Sequence, residues 1–164
     1  MLKSVLIAAA LTATLVLSAC NKPAADQQSA QVQQLQKPTD VNDSKAWSAY
    51  LGQLVQSNLK GMKAAQPYAY MVTAGATPDD IAKNERQLGN VTDVVSRGVL
   101  PGNLLAFAGP VSSKTADLLL AAFAGARPGS FKDVTVLFIG DKADEQRVDD
   151  ALKPTGATVH FVAM

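Results

Sequence analysis

Three segments of this chain place a glycine, small polar side chains and charged groups in one short run. They are Gly75-Ala76-Thr77-Pro78-Asp79, Gly109-Pro110-Val111-Ser112-Ser113-Lys114-Thr115 and Gly140-Asp141-Lys142-Ala143-Asp144. Each follows an apolar stretch and leads into a helical pattern. A glycine followed by a polar helix start is what brings backbone N–H groups up to an anionic ligand. It is equally what any strand-to-helix turn needs. Thr77, Asp79, Ser112 and Asp141 are therefore the candidate ligand-facing residues, with helix capping as the competing role. A divalent cation bridging the first and third loops would use Asp79 and Asp141, provided their strands are neighbours. Asp79-Asp80 and Asp144-Glu145 fall in first turns, where the helix dipole itself favours carboxylates.

Other chemistries fit less well. The second loop sits where a phosphate-binding P-loop would. That pattern requires four residues between two glycines and a glycine directly before the lysine. Here Ser113 precedes Lys114, and Pro110 has no N–H to offer. His160 is the single histidine and lies between Val159 and Phe161, inside a strand pattern rather than in a loop. No Gly-x-Ser-x-Gly elbow occurs, and Gly129-Ser130 precedes a strand, at the wrong end of a sheet. With one histidine and one cysteine, the usual zinc ligand sets cannot be assembled. No catalytic residue, cofactor site or metal site is assigned.

The elements that must position these loops alternate. Trp47, Leu51, Leu54, Val55, Leu59 and Met62 recur at helical spacing and predict a helix over about 44–64. Trp47 and Tyr50 on it read as core residues, with an exposed docking patch as the alternative. Residues 68–74 read as a buried strand. Thr77 as N-cap, Pro78 at the first helical position and two carboxylates start a second helix that ends at Gly98. Leu104–Ala108 is a strand. Ser112 or Ser113 caps a third helix that is apolar almost all round, and Val134–Ile139 is a strand. Asp141 caps a fourth helix that stops at Lys153-Pro154, and Thr158–Val162 is the last strand. Strict alternation with short apolar strands predicts an α/β fold: a small three-layer sandwich of about four parallel strands and four helices. Flavodoxin-like connections, in the order 2-1-3-4, are the expected topology. All three loops then share the carboxyl edge of the sheet.

The single cysteine, Cys20, ends the run Leu17-Ser18-Ala19-Cys20, after Lys3 and an apolar stretch from Val5 to Val16. That layout reads as an export signal, too short for a retained transmembrane span. The run resembles the lipobox of bacterial lipoproteins, and the resemblance covers residues 1–20 alone. It implies cleavage after Ala19 and a lipid on Cys20, hence anchoring to a membrane. Asn21, in place of an aspartate, implies the outer membrane, facing the periplasm. Residues 1–19 are thus a signal peptide, 20–43 a lipid attachment site and disordered tether rich in Gln, Ala, Asp and Asn, and 44–164 the domain. A short helix over residues 27–36 is the alternative within the tether.

Removing Lys3 with the signal takes the 15 basic residues to one fewer, equal to the 14 acidic ones. With no basic excess, nucleic-acid binding is not expected. The expected function is non-enzymatic: an envelope lipoprotein whose domain binds a protein or cell-wall partner. The alternative is a small-ligand-binding or hydrolytic domain working through the loops at 75–79, 109–115 and 140–144.

Overall fold

The computed structural model describes residues 36–59 and 67–164. The expected signal peptide, Cys20, the expected tether up to residue 35 and the end of the expected first helix lie outside the described residues. The elements run α1 (Ser44–Leu59), β1 (Pro67–Met71), α2 (Pro78–Arg97), β2 (Leu104–Ala108), α3 (Ser112–Phe123), β3 (Thr135–Gly140), α4 (Lys142–Leu152), a 3-10 turn (Lys153–Thr155) and β4 (Thr158–Ala163). The four strands form one parallel sheet. The α/β sandwich read from the alternation is the observed architecture.

The strand order is β1-β2-β3-β4, which corrects the expected 2-1-3-4. The reason is visible at the edges. β2 is buried along its whole length, whereas the first three residues of β1 are exposed. Pro67 opens β1, and a proline without an N–H is tolerated at an edge far better than in a sheet centre. Connections between parallel strands keep one hand, so a sheet that grows in one direction collects its connecting helices on one face. That face carries a core of Leu105, Phe107, Val136 and Phe138 beneath Val91, Val95, Ala116, Leu119, Val148 and Leu152 of α2, α3 and α4. The opposite face is covered by α1, whose Trp47, Tyr50, Leu51 and Val55 pack on Leu104, Ala106, Ala108, Leu137 and Ile139. Because α1 precedes β1, it reaches that face without a crossover. Trp47 and Tyr50 are core residues, meeting edge to face at 5.6 Å.

Helix starts obey local chemistry. Thr77 caps α2, its Oγ1 accepting from the Asp80 N–H at 3.1 Å, and Gly98 at φ 82° ends that helix. α1 starts at Ser44, as expected, behind Asp43, whose Oδ1 accepts from the Ala46 N–H at 3.0 Å. The domain's described path also starts upstream of Ser44. Asp40 takes the Trp47 indole N–H on its carbonyl at 2.9 Å and the Asn42 N–H on its carboxylate at 2.9 Å. Those bonds tie the last part of the expected tether to α1.

Candidate functional site

With strands in sequential order the sheet has no point where its order reverses, and that point is where open α/β sheets usually open a ligand crevice. β2 also stands between β1 and β3, so the first and third loops are not neighbours. The expected cation bridge from Asp79 to Asp141 therefore has no structural basis. Among the described residues no group of three or more His, Cys, Asp or Glu side chains gathers.

The second and third loops meet and lock. Ser112 is buried and begins α3, but does not cap it; Val111 occupies the cap position and offers no side-chain bond. Instead the Ser112 Oγ donates to Asp144 Oδ2 at 2.5 Å and accepts the Asp141 N–H at 2.7 Å. Asp144 Oδ1 takes the Arg147 Nε–H at 2.8 Å. The Arg147 guanidinium continues to Asp117 Oδ1 at 2.6 Å and to the Ser113 carbonyl at 3.0 Å. The hydrogen bond Arg147 donates to Asp117, against the opposing cost of burial and with a smaller contribution from its bond to Asp144, holds Arg147 above its ordinary pKa. Asp141 sits at the N-cap of α4, yet its side chain makes no cap bond and points to solvent, 3.9 Å from Lys37 Nζ. Two glycines make the close approach possible. A Cβ on Gly109 would lie 2.4 Å from Thr115 Oγ1 and 2.6 Å from the Val72 carbonyl, and one on Gly140 would lie 2.6 Å from Ser112 Oγ.

The first loop turns differently. Thr73, just past the end of β1, gives its N–H to Asn84 Oδ1 at 2.8 Å and takes Asn84 Nδ2–H on its carbonyl at 3.1 Å. The Asn84 side chain thus stands in for a neighbouring strand on the open edge, while β1 stops at Met71 rather than running to residue 74 because Met71 pairs with Ala108, the last residue of β2. Gly75 then takes φ 66°, a conformation that favours glycine. Thr77 is engaged as a cap, and Asp79 is exposed.

Between α2 and α3, below this loop, an open cleft of about 360 Å³ remains. Val72 forms its floor. Ile81 and Leu88 line the α2 side, and Leu118 and Ala121 the α3 side. Ile81 is 49% exposed, unusual for a large aliphatic side chain in this structure. Asn84, Glu85, Lys114 and Asp117 supply the polar lining. The Lys114 side chain lies across Gly75, its Nζ 3.3 Å from where a Cβ would stand. Of the four sequence candidates, none lines this cleft; Lys114, the lysine of the failed P-loop comparison, does. A signal for the cleft existed in the sequence, since Ile81, Leu88, Leu118 and Ala121 face each other only if α2 and α3 are neighbours on one face.

At the opposite, amino edge of the sheet a second recess of about 260 Å³ is bordered by Tyr68, Arg97, Leu100 and Asn103. Leu100 is 76% exposed and Tyr68 37%. His160 is exposed on β4, opposite Leu137 in the register. Among the described residues no helix is long and apolar enough to cross a membrane. No family model, no curated protein and no solved structure matches the chain.

Proposed function

We propose that this chain is a lipid-anchored protein of a bacterial envelope, attached through Cys20 to the outer membrane and facing the periplasm. Its α/β domain binds a protein or cell-wall partner and is not an enzyme. The anchoring rests on Leu17-Ser18-Ala19-Cys20 and the apolar segment before it. The single observation that carries partner binding is the amino edge of the sheet. There an exposed leucine, Leu100, stands beside an exposed tyrosine, Tyr68, and an arginine, Arg97. Tyrosine and arginine are the side chains most often found at the energetic centre of protein interfaces. At the carboxyl edge, by contrast, Ser112, Asp144, Arg147 and Asp117 are engaged with one another.

Two measurements test this. Intact-mass analysis of the exported protein should show an acyl increment that disappears in Cys20→Ala; a wild-type chain without that mass ends the lipoprotein reading. A photo-crosslinking residue at Leu100 should give one discrete adduct in cells, while the same residue at Gln56 on α1 gives none. Equal labelling from both positions would remove the partner surface.

A second reading, a small-ligand-binding domain, is favoured by the cleft between α2 and α3. Its volume falls within the range of about 300–1,000 Å³ typical of small-molecule sites.

A further inference from the structure

We propose that the cleft between α2 and α3 binds a small aliphatic carboxylate, its chain between Ile81 and Leu118 and its head group at Lys114. The proposal rests on the small-ligand reading and names the ligand class. Size comes first. The cleft holds about 360 Å³, the low end of the range of about 300–1,000 Å³ found for small-molecule sites. An occupant of small-molecule size fits it.

The walls decide the body of the ligand. Ile81, Leu118 and the floor residue Val72 are aliphatic, and the Asn84 amide is already consumed by Thr73. A polar body would lose its water contacts and regain few. A chain of methylenes gains about 0.8 kcal/mol for each one buried.

The charges decide the head. Asp117 is neutralised by Arg147 at 2.6 Å, and Asp80 at the start of α2 is met by Lys83 at 3.7 Å. Lys114 and Glu85 make no ion pair among the described residues. Lys114 lies in the first turn of α3, whose own residues supply neither a side-chain cap nor an acid, and the Asp144 carboxylate that meets Ser112 there is paired with Arg147. The positive end of that helix dipole therefore adds to the ammonium. Glu85 lies in the body of α2, beyond its first turn, without such reinforcement. The Gly75 end of the cleft is the positive end, and a carboxylate seats there.

The test is titration calorimetry of the purified Cys20→Ala protein, which has no acyl chain of its own, in detergent-free buffer with three probes of one chain length: decanoate, 1-decanol and decyltrimethylammonium. Decanoate should bind with a stoichiometry of one, about tenfold more tightly than decanol, as a charge-assisted contact at Lys114 requires. Lys114→Gln should erase that advantage. Glu85→Gln should tighten decanoate about twofold by removing a like charge. Ala121→Trp, which fills the cleft, should block all three probes. If decanol matches decanoate, or the cation binds best, the carboxylate assignment fails while the cleft stands. If no probe binds, or if Ala121→Trp blocks none of them, the small-ligand reading itself fails.

Discussion

α4 and α2 both carry an acid and a base at their third and sixth residues, Asp144 and Arg147 in one, Asp80 and Lys83 in the other. Both flank α3, whose own third and sixth residues, Lys114 and Asp117, have the reverse order. Yet the seam between α3 and α4 is closed and the seam between α2 and α3 is open. The difference lies in the base. Arg147 satisfies Asp144 and still has donors for Asp117 and the Ser113 carbonyl. Lys83 reaches Asp80 in its own helix, and the compact ammonium has no planar fork to span two partners. Ser112 closes the first seam further, and Ile81 stands at the second where a polar bridge would be needed. One local pattern thus yields a polar lock on one side of α3 and an apolar cleft on the other.

The comparison can be broken or sharpened by substitution. The largest effect should come from Gly109→Ala. Its added methyl meets the Val72 carbonyl and Thr115 at the place where α3 rests on the sheet, and a loss of about 3 kcal/mol or more in urea unfolding is expected. A loss under about 1 kcal/mol would mean that α3 can lift away and that the lock is not tight. Ser112→Ala leaves the Asp141 N–H and one oxygen of Asp144 without their partner. It should cost about 2 kcal/mol. In a double-mutant cycle with Asp144→Ala the two losses should be strongly non-additive; additivity would show that the lock is not one unit.

Tyr70 tests the side of the sheet beneath α2. Its hydroxyl is buried without a partner, and the ring stacks on Phe107 at 5.1 Å. Burial, with a smaller contribution from Tyr68, raises its pKa above 10.0. The folded state therefore binds the phenolic proton more tightly than the unfolded state. That stability is fully present below the unfolded pKa and is lost as pH rises from there through the folded pKa. Tyr70→Phe should add about 1 kcal/mol at neutral pH and flatten the alkaline decline in a pH series of thermal melts. An unchanged alkaline limb would show that the hydroxyl is solvated. The smallest effect belongs to Ile81→Ser. The side chain is already half exposed, so stability should shift by only about 0.5 kcal/mol, while decanoate binding weakens. A large loss of stability would make the cleft a structural feature.

Much of the fold was legible because strand and helix signals were punctuated by glycine, proline and caps: Thr77-Pro78-Asp79 before α2, Gly98 after it, Pro154 after α4. The strand order was legible in part. Pro67 and Tyr68 mark β1 as an edge, and Thr158 and His160 mark β4, while Leu104–Ala108 and Thr135–Gly140 are apolar enough for the centre. A flavodoxin-like order places β1 inside and contradicts Pro67. The site was less legible because capping and ligand-facing roles use the same residue types. Ser112 took a third role, bridging to Asp144, a residue 32 positions away, and no local rule reveals such a partner. The place of Lys114 in the cleft was hidden for the same reason: its surroundings are set by α2, which starts some 35 residues earlier.

The turn at residues 40–43, joined to the Trp47 indole through the Asp40 carbonyl, has a mechanical consequence. Held through Cys20 as proposed, the domain receives any pull from the membrane at this turn. The load passes first into α1, which is fixed to the sheet by side chains alone and has no strand before it among the described residues. Tension would peel α1 from Leu104, Ala106 and Ile139 before it disturbed the three helices on the other face. With that attachment α1 would be a mechanical fuse: the face it covers would be bared under force, while the cleft between α2 and α3 would keep its shape.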